Sequence, residues 1–411
     1  MKGSDYIGNS GYTVKWILEK LCQSDDDIGE ACKNRLIKNV EVERLPEGKG
    51  YQSFIYLIRI EYVRNEVIKN FKLIMKIPTM KYVEEGARNM KMVGEALQHF
   101  LEFSKSLHDK ECLTYELLKS LHSAGFPIPK SYHIERRPVV ETPENNRLCP
   151  GALFLEYVDG ISIGLASSLT KIQLLNAAKD MAVLHDHVDQ LDKTLWKGKL
   201  ATHKFDARGV ETMQKCLEYA AEDIPGARPF AERLKSLDLH NLAVFSMKLL
   251  PKRLNAVTLC HGDLWTSNLI IEKGKDGSSG DRIAAYVDWQ MAFEGNQMQD
   301  LCELICVCSD AEVRTDCWLE VVTSYYNHLC LLYAKRSKKP PFSLEDAIKL
   351  YKAMEVYFAV TLAMLYNLTT NVYQTESETF VEEKALIAQR TLNALKDAVD
   401  VAEVLNLYEK V

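Results

Sequence analysis

Residues 260–268 of this 411-residue chain read CHGDLWTSN, and residues 286–290 read YVDWQ; together these two stretches decide the fold. Asn268 follows Asp263 by five residues, and Asp288 ends the short apolar run 283–287. Carboxylate and carboxamide oxygens are the ligands that Mg²⁺ prefers, usually together with substrate phosphates. The pattern predicts that one aspartate holds a metal ion while the other accepts a proton.

This spacing matches the catalytic pattern of phosphoryl-transfer enzymes, where a base aspartate precedes a metal-binding asparagine by five residues. Gly262 stands where protein kinases carry an arginine, and the stretch 288–290 (DWQ) replaces Asp-Phe-Gly. We therefore predict that Asp263 is the catalytic residue and that Asn268 and Asp288 bind Mg²⁺. His261 is predicted to be a structural histidine.

A kinase also needs a lysine on its third strand and a helix glutamate that pairs with it. Lys76, within 73–78 (LIMKIP), lies between apolar neighbours, which is an uncommon setting for an unpaired charge. Glu111 follows in a helical segment. Taken singly, Lys76 is equally consistent with an edge-strand lysine and Glu111 with a solvated helix residue.

Two further segments are predicted to contact ATP. Backbone amides at Gly48 and Gly50, with the Ser53 hydroxyl, are placed to cover phosphates, although a plain hairpin turn also explains the glycines. Backbone groups of the connecting segment would meet the adenine; these residues are Glu156, Tyr157 and Val158.

The order of predicted elements indicates an α+β chain with a bilobal, protein-kinase-like fold. An antiparallel meander and a helix of the regulatory type fill the first part, and helices dominate after residue 160. We predict a nucleotide-binding lobe over 1–157 and a helical lobe over 158–411. The second lobe would carry the catalytic loop at 260–290 and acceptor-binding helices.

The motifs resemble those of the choline-kinase-like and ecdysteroid-kinase-like family, relatives of aminoglycoside phosphotransferases within the protein-kinase-like superfamily. The family's H-G-D-x-W-x-x-N motif matches 261–268 at every fixed position, and its Glu-x-x-x-Tyr helix pattern matches Glu111 and Tyr115. Trp265 and the Trp-Gln after Asp288 are similar to the nematode branch. One departure lies at 295–300 (GNQMQD), where the family commonly has a proline soon after the glycine.

The resemblance implies an ATP- and Mg²⁺-dependent kinase that transfers the γ-phosphoryl group to a hydroxyl of a small acceptor. It also implies that Asp300 is structural and fixes the catalytic loop. Choline-like amines, sterols, glycosides and amino sugars remain open as acceptors. Helices beyond residue 300 carry aromatic residues that would form an acceptor pocket or simply pack; they are Trp318, Tyr325, Tyr326, Tyr351, Tyr357, Phe358 and Tyr366.

Two other functions compete with this prediction. A catalytically silent kinase-fold binding or scaffold protein is possible because fold does not secure function, but the intact set Lys76, Asp263, Asn268 and Asp288 weighs against it. A protein kinase is disfavoured, since only the segment 289–299 separates Asp288 from Asp300 and no Ala-Pro-Glu motif follows.

Composition excludes several classes of partner. The net charge of −6 and the absence of a Lys/Arg run disfavour nucleic acid. The longest apolar run, 356–366, is shorter than the roughly 20 residues that span a bilayer. No signal peptide is predicted at the start, and the 11 cysteines are irregularly spaced, so we expect reduced thiols and a cytoplasmic protein without an evident protein partner. A metal site at Cys302, Cys306 and Cys308 is disfavoured by its spacing.

Overall fold

The computed structural model describes residues 5–8, 10–45, 52–89, 93–137, 151–200, 207–372 and 378–410. The chain divides into two compact units. The first comprises Met1–Val158 with Asp288–Met291, and the second comprises Asp159–Val287 with Ala292–Val411. The predicted α+β class is confirmed: a five-stranded sheet with four helices forms the first unit, and helices dominate the second. The assignment of nucleotide and acceptor binding to separate lobes stays a prediction.

The first unit is built on a five-stranded antiparallel sheet in the order β1-β2-β3-β5-β4. Its strands are β1 (Ile37–Arg44), β2 (Ser53–Arg64), β3 (Val67–Pro78), β4 (Ser131–Glu135) and β5 (Ala152–Glu156). Its helices are α1 (Val14–Ser24), α2 (Asp26–Lys33), α3 (Lys81–Asn89) and α4 (Gly94–Ser123). The α4 helix is the predicted helix of the regulatory type, since it follows β3 and carries Glu111.

The sheet forms because β-branched and aromatic residues alternate along β2 and β3, which pair over their full length from Ser53↔Pro78 to Arg64↔Val67. Asn65 and Glu66 make the tight turn between them, both with positive φ. One face of the sheet packs against α1 through Ile58, Met75 and Phe154. Alternation therefore assigns successive side chains of β3 to opposite faces.

The sequence predicts helical structure over 12–38 with an acidic turn at 25–27, and the structure has two helices there, divided at Asp25 and ending at Lys33. Thr13 is the N-cap residue of α1. Asp25 follows the end of α1 and is the N-cap residue of α2. The strand β1 begins at Ile37. The Asp25 side chain accepts a hydrogen bond from Ile28 N, which favours a new helix start over continuation. Cys22 and Cys32 are joined by a disulfide, so the expectation of reduced thiols fails at this pair.

The second unit contains five strands and most of the helices. Its strands are β6 (Ile161–Ser162), β7 (Val257–Cys260), β8 (Leu269–Lys273), β9 (Ser279–Tyr286) and β10 (Phe293–Asn296). Its helices are α5 (Lys171–Gln190), α6 (Lys193–Trp196), α7 (Ala207–Asp223), α8 (Arg228–Lys235), α9 (Leu239–Val244), α10 (Leu250–Arg253), α11 (Gln299–Val307), α12 (Ala311–Lys335), α13 (Leu344–Val372), α14 (Glu378–Val404) and α15 (Leu407–Lys410).

Two small antiparallel sheets hold the motif segments of this unit. Strands β6, β8 and β9 form one, and β7 pairs with β10 in the other, from Cys260↔Phe293 to Val257↔Asn296. Each motif therefore leaves the end of a paired strand: CHGDLWTSN leaves β7, and Asp288 follows β9. A strand end fixes the backbone of the residues that follow it.

Asn296 joins three parts of the second unit. It is fully buried, and its side-chain amide donates to Ser246 O at 2.9 Å and to Leu350 O at 3.3 Å. Its side-chain oxygen accepts from Met298 N at 2.8 Å. One side chain thereby connects three elements by hydrogen bonds: strand β10, the π-helical segment Phe245–Leu249 and α13.

None of the helices among the described residues combines the length and the apolar character that crossing a bilayer requires.

Candidate functional site

Lys76 lies at the centre of a buried ion cluster in the first unit. Its Nζ is 2.8 Å from Glu111 Oε2, 2.9 Å from Glu111 Oε1 and 2.6 Å from Asp288 Oδ1. Only 6% of Lys76 is exposed, and Glu111 is 1% exposed. A lysine is held in this way only when carboxylates offset the cost of removing its charge from water. The strand lysine, the helix glutamate and the second aspartate of the predicted site are thus brought together.

The electrostatics of this cluster keep the lysine charged. Burial alone would lower the pKa of Lys76, but the carboxylates of Asp288 and Glu111 outweigh burial and raise it. Burial raises the pKa of Glu111, and the Lys76 ammonium counteracts that effect. The charge-assisted hydrogen bonds from both carboxylates fix the position of the Lys76 ammonium group.

The backbone at Asp288 is unusual. Its φ is +66°, in the left-handed region that non-glycine residues seldom occupy, although aspartate is among those that tolerate it. Such conformations concentrate where a side chain must be aimed for function. Gln290 Nε2 approaches the other carboxylate oxygen, Asp288 Oδ2, at 3.4 Å. The sharp turn after β9 therefore directs the Asp288 carboxylate at Lys76.

Asp263 and Asn268 form a second group, in the second unit. The Asn268 amide nitrogen donates to Asp263 Oδ2 at 3.0 Å and to Asp263 O at 2.7 Å. The five-residue offset brings the two side chains together because the 3₁₀ turn Thr266–Asn268 folds the loop back. These two hydrogen bonds use the side-chain nitrogen of Asn268 and leave its side-chain oxygen outside them.

Asp300, at the start of α11, holds the backbone of the motif loop 260–268. Its two carboxylate oxygens accept hydrogen bonds from His261 N at 2.7 Å and Gly262 N at 3.0 Å. Burial raises the pKa of Asp300 to about 6, although both amides counteract it. The structural role that the resemblance implied for Asp300 agrees with these contacts.

His261 is fully buried, and its imidazole ring contacts backbone atoms of both motif segments. Its Nε2 contacts Val287 O at 2.9 Å, and its Nδ1 accepts from Asp263 N at 3.4 Å. Both ring nitrogens are therefore used within the loop, which suits the predicted structural role.

Glu303 was not predicted. It lies on α11, one turn after Asp300, with 8% of the residue exposed and its Oε2 atom buried without a hydrogen-bond partner. Burial, and next the carboxylate of Asp263, raises the pKa of Glu303 well above its ordinary value. The signal was present in the sequence, since Glu303 is the one acid inside the apolar run 301–308 (LCELICVC).

The remaining predicted nucleotide contacts are less well defined. Ser53 begins β2 and is buried, whereas Gly48 and Gly50 lie outside the described residues. Glu156 ends β5, and its carboxylate accepts from Lys130 N at 3.1 Å. Tyr157 lies under Lys72, with the Nζ 5.1 Å from the ring centroid. Val158 follows as the last residue of the first unit's main segment.

Most of the aromatic residues considered for an acceptor pocket are packed inside the second unit. Tyr325, Tyr351, Tyr357, Phe358 and Tyr366 are buried. Trp318 and Tyr326 keep partial exposure. The Trp318 ring stacks on Tyr351 with centroids 5.2 Å apart, and Lys352 Nζ lies 3.9 Å from the Trp318 centroid. The cation–π position over Trp318 is therefore already held by a lysine.

The oxygen atoms of the predicted metal ligands are of the chemical type that magnesium binds. Within the described part of the chain, no group of three or more His, Cys, Asp or Glu side chains forms a metal site, and this applies to the buried Cys302, Cys306 and Cys308. Magnesium does not need such a cage, because it is held by one or two carboxylates together with substrate phosphates and water. Asp288 in the first unit and Asn268 in the second unit each carry a hard oxygen atom of that type.

A comparison of sequences gives the family. The profile of DUF1679, described as "Uncharacterized oxidoreductase dhs-27", matches residues 30–408. The chain belongs to this family. The Caenorhabditis elegans protein "Uncharacterized oxidoreductase dhs-27" is 23% identical over 381 residues, which are 90% of this DUF1679 chain and 44% of that protein. The chain thus spans less than half the length of that relative.

Solved structures similar to this DUF1679 chain are small-molecule phosphotransferases. They include choline kinase from Cryptosporidium parvum, with 12% identity, a TM-score of 0.48, and 96% of this chain and 99% of that chain covered. Plasmodium vivax ethanolamine kinase has 15% identity and a TM-score of 0.39, with 95% and 90% covered. An Alicyclobacillus acidocaldarius aminoglycoside phosphotransferase has 12% identity and a TM-score of 0.40, with 89% and 92% covered. The narrower choline-kinase-like and ecdysteroid-kinase-like assignment stays a hypothesis.

Proposed function

We propose that this DUF1679 chain is an ATP- and Mg²⁺-dependent kinase that phosphorylates a hydroxyl group of a small molecule. The observation that carries the proposal is the clamp on Lys76, whose Nζ lies within 2.9 Å of both Glu111 and Asp288. A buried lysine between two carboxylates is costly to build, so its retention calls for a function that uses the charge.

Each residue has a defined task in this proposal. Lys76, held by Glu111, binds ATP phosphates. Asp288 and Asn268 bind Mg²⁺, which would neutralise the charge that develops on the transferred group. Asp263 orients the acceptor hydroxyl and takes its proton, while Asp300 keeps the loop backbone in place. Catalysis rests on positioning and charge neutralisation, so the chain itself forms no covalent intermediate.

The acceptor is a small molecule and not a peptide. Most residues between Asp288 and Asp300 belong to regular elements: the 3₁₀ turn Trp289–Met291, the strand β10 and the start of α11. No segment there is long enough to dock a peptide in the manner of a protein-kinase activation segment. Among small acceptors, a quaternary amine is disfavoured at Trp318 because Lys352 already lies over the ring. A neutral sterol or glycoside hydroxyl suits these residues better.

The family description names an oxidoreductase, and the described residues of this chain do not favour that activity. Every strand pairing in the three sheets is antiparallel, whereas dinucleotide-binding domains use a parallel sheet. The sequence also lacks the Gly-x-Gly-x-x-Gly turn of such domains. Since the chain spans 44% of the C. elegans relative, a name given to the whole protein can refer to its other part.

The decisive experiment measures transfer of the γ-phosphoryl group. Purified wild-type protein and Asp263→Asn are incubated with γ-labelled ATP, Mg²⁺ and a metabolite extract, and labelled products are separated. We expect a labelled small molecule with wild type and at least a hundredfold less with the variant. Binding of ATP–Mg²⁺ without transfer to any acceptor would favour the catalytically silent alternative. No binding at millimolar ATP would end the proposal.

A further inference from the structure

Helix α11 faces the motif loop with two carboxyl groups. Asp300 and Glu303 are three residues apart on this helix, so their side chains lie on the same side of it. Asp300 accepts hydrogen bonds from the backbone amides of His261 and Gly262. Glu303 accepts a hydrogen bond from the backbone amide of Leu264. The two acids together therefore hold three backbone amides of the motif loop.

Asp263 lies between these anchored amides. Its own amide is held within the loop, where it donates to His261 Nδ1 at 3.4 Å. The carbonyl group of Leu264 is fixed as well, because the thiol of Cys308, directly after α11, donates to Leu264 O at 3.6 Å. Both backbone polar groups of the residue that follows Asp263 are thus bonded to one helix and its C-cap residue. An anchored backbone on each side restricts the direction of the Asp263 side chain.

The carboxyl group of Glu303 is buried among acids. Only 8% of the residue is exposed, and its Oε2 atom makes no hydrogen bond to the described residues. The titratable side chains that interact electrostatically with Glu303 in the described part of the chain are all acids: Asp263, Asp300, Cys260, Cys308 and Tyr357. An ionised Glu303 would place a further negative charge near Asp263. A neutral carboxyl group keeps an acceptor oxygen for Leu264 at a lower electrostatic cost.

We propose that Glu303 is a positioning residue for phosphoryl transfer, which holds the Leu264 amide so that the Asp263 carboxylate keeps its direction. This inference rests on the proposed kinase function, because the direction matters only if Asp263 takes the proton of the acceptor. A role limited to packing would be met by any apolar side chain of similar size. Glutamine and leucine at position 303 separate the two roles, since only glutamine offers a neutral acceptor oxygen.

The first test measures the rate at which γ-labelled ATP with Mg²⁺ loses its label, either to water alone or to the metabolite extract. In both reactions the bond from the γ-phosphorus to the bridging oxygen breaks, a bond to the acceptor oxygen forms, and Asp263 takes the acceptor proton. We expect Glu303→Leu to lower kcat about tenfold or more while KM for ATP changes less than about twofold. Glu303→Gln should stay within about threefold of wild type, because it retains the acceptor oxygen.

Glu355 provides the matched control. It is another buried acid of the second unit, with 5% of the residue exposed, but its carboxylate accepts from Lys352 Nζ at 2.7 Å on α13. Glu355→Leu should lower the melting temperature, because it removes the partner of Lys352, and should leave kcat within about twofold of wild type. Equal losses of kcat in Glu303→Leu and Glu355→Leu would overturn the inference, since they would reflect only the removal of a buried acid.

A second readout does not depend on activity. Hydrogen–deuterium exchange at the Leu264 amide, followed by mass spectrometry of fragments of 260–268, should be about tenfold faster in Glu303→Leu and unchanged in Glu303→Gln. Exchange at the wild-type rate in Glu303→Leu would overturn the inference. Faster exchange with an unchanged kcat would overturn it too, while leaving the proposed function in place. If wild type transfers no label to any acceptor, the proposed function fails and the inference fails with it.

Discussion

At the scale of single residues, the chain buries several ionisable side chains away from water. Lys76, Glu111, Asp300 and Glu303 are all buried, and each is retained by a specific partner or by protonation. Burial of an ionisable group is expensive, so a cluster of such groups within the motif segments is a functional signal with a physical basis.

Replacing Lys76 by methionine tests the ion cluster. Lys76→Met leaves the carboxylates of Glu111 and Asp288 without their cation, which we expect to destabilise the protein by about 3 kcal/mol. It should also lower kcat/KM for ATP by two or more orders of magnitude. Denaturant titration and steady-state kinetics measure the two effects. Lys69→Met, at an exposed position on the same strand, is the control and should change neither quantity.

Replacing Glu303 by glutamine tests its protonation. The pKa of Glu303 in the folded chain is raised above its ordinary value of 4.5, so the folded state holds a proton that the unfolded state releases. Stability from this group is present below that ordinary pKa and falls as pH rises above it. Glu303→Gln should therefore gain stability relative to wild type between pH 5 and about pH 8.

Melting temperatures across that pH range measure the effect of Glu303→Gln. Glu382 is exposed on α14, so Glu382→Gln is the control. Its melting temperature should change with pH in the same way as that of wild type. Parallel pH profiles for Glu303→Gln and wild type would show that Glu303 is ionised in the folded protein.

At the scale of elements, the motif loop depends on the conformation of one glycine. Gly262 has φ +80°, and its amide donates to Asp300 Oδ1, so its backbone cannot relax without losing that bond. Gly262→Ala should cost about 1 to 2 kcal/mol of stability, since an L side chain is strained in this region. Gly164→Ala is the control because its added methyl group meets open space. Thermal unfolding compares the two; equal losses would contradict the argument.

The elements themselves were predictable where periodicity is strong. Residues 131–135 have the pattern of a strand, and β4 lies there, between flanking prolines. The sequence FEGN is too short to predict a strand, and β10 forms only because it pairs with β7. Residues 298–333 have a helical pattern, but the helix breaks at 308–310, and Asp310 is the N-cap residue of α12. Pairing and helix breaks of this kind depend on distant contacts that local sequence does not encode.

The candidate site was predictable for a different reason. Phosphoryl transfer fixes both residue types and spacing, so Lys76, Glu111, Asp263, Asn268 and Asp288 stood out in the sequence alone. The distances within each group required the structure. Glu303 was missed because a lone acid in an apolar stretch has no diagnostic spacing.

At the scale of the whole molecule, the antiparallel architecture separates this chain from the activity in its family's description. We expect no saturable binding of NADH up to about 1 mM, the upper end of typical KM values. Fluorescence titration of NADH measures this, with ATP–Mg²⁺ as the positive comparison. A saturable NADH signal from this chain would contradict the assignment of the oxidoreductase name to another part of the relative.

The three hydrogen bonds of the Asn296 side chain also affect the order in which the second unit folds during synthesis. Its amide is satisfied only when Leu350 of α13 is present, and that residue leaves the ribosome after β10 has been synthesised. Until then the nascent pair β7–β10 holds a polar group that lacks its second acceptor. Assembly of the second unit should therefore finish only after α13 has been synthesised, late in the translation of this chain.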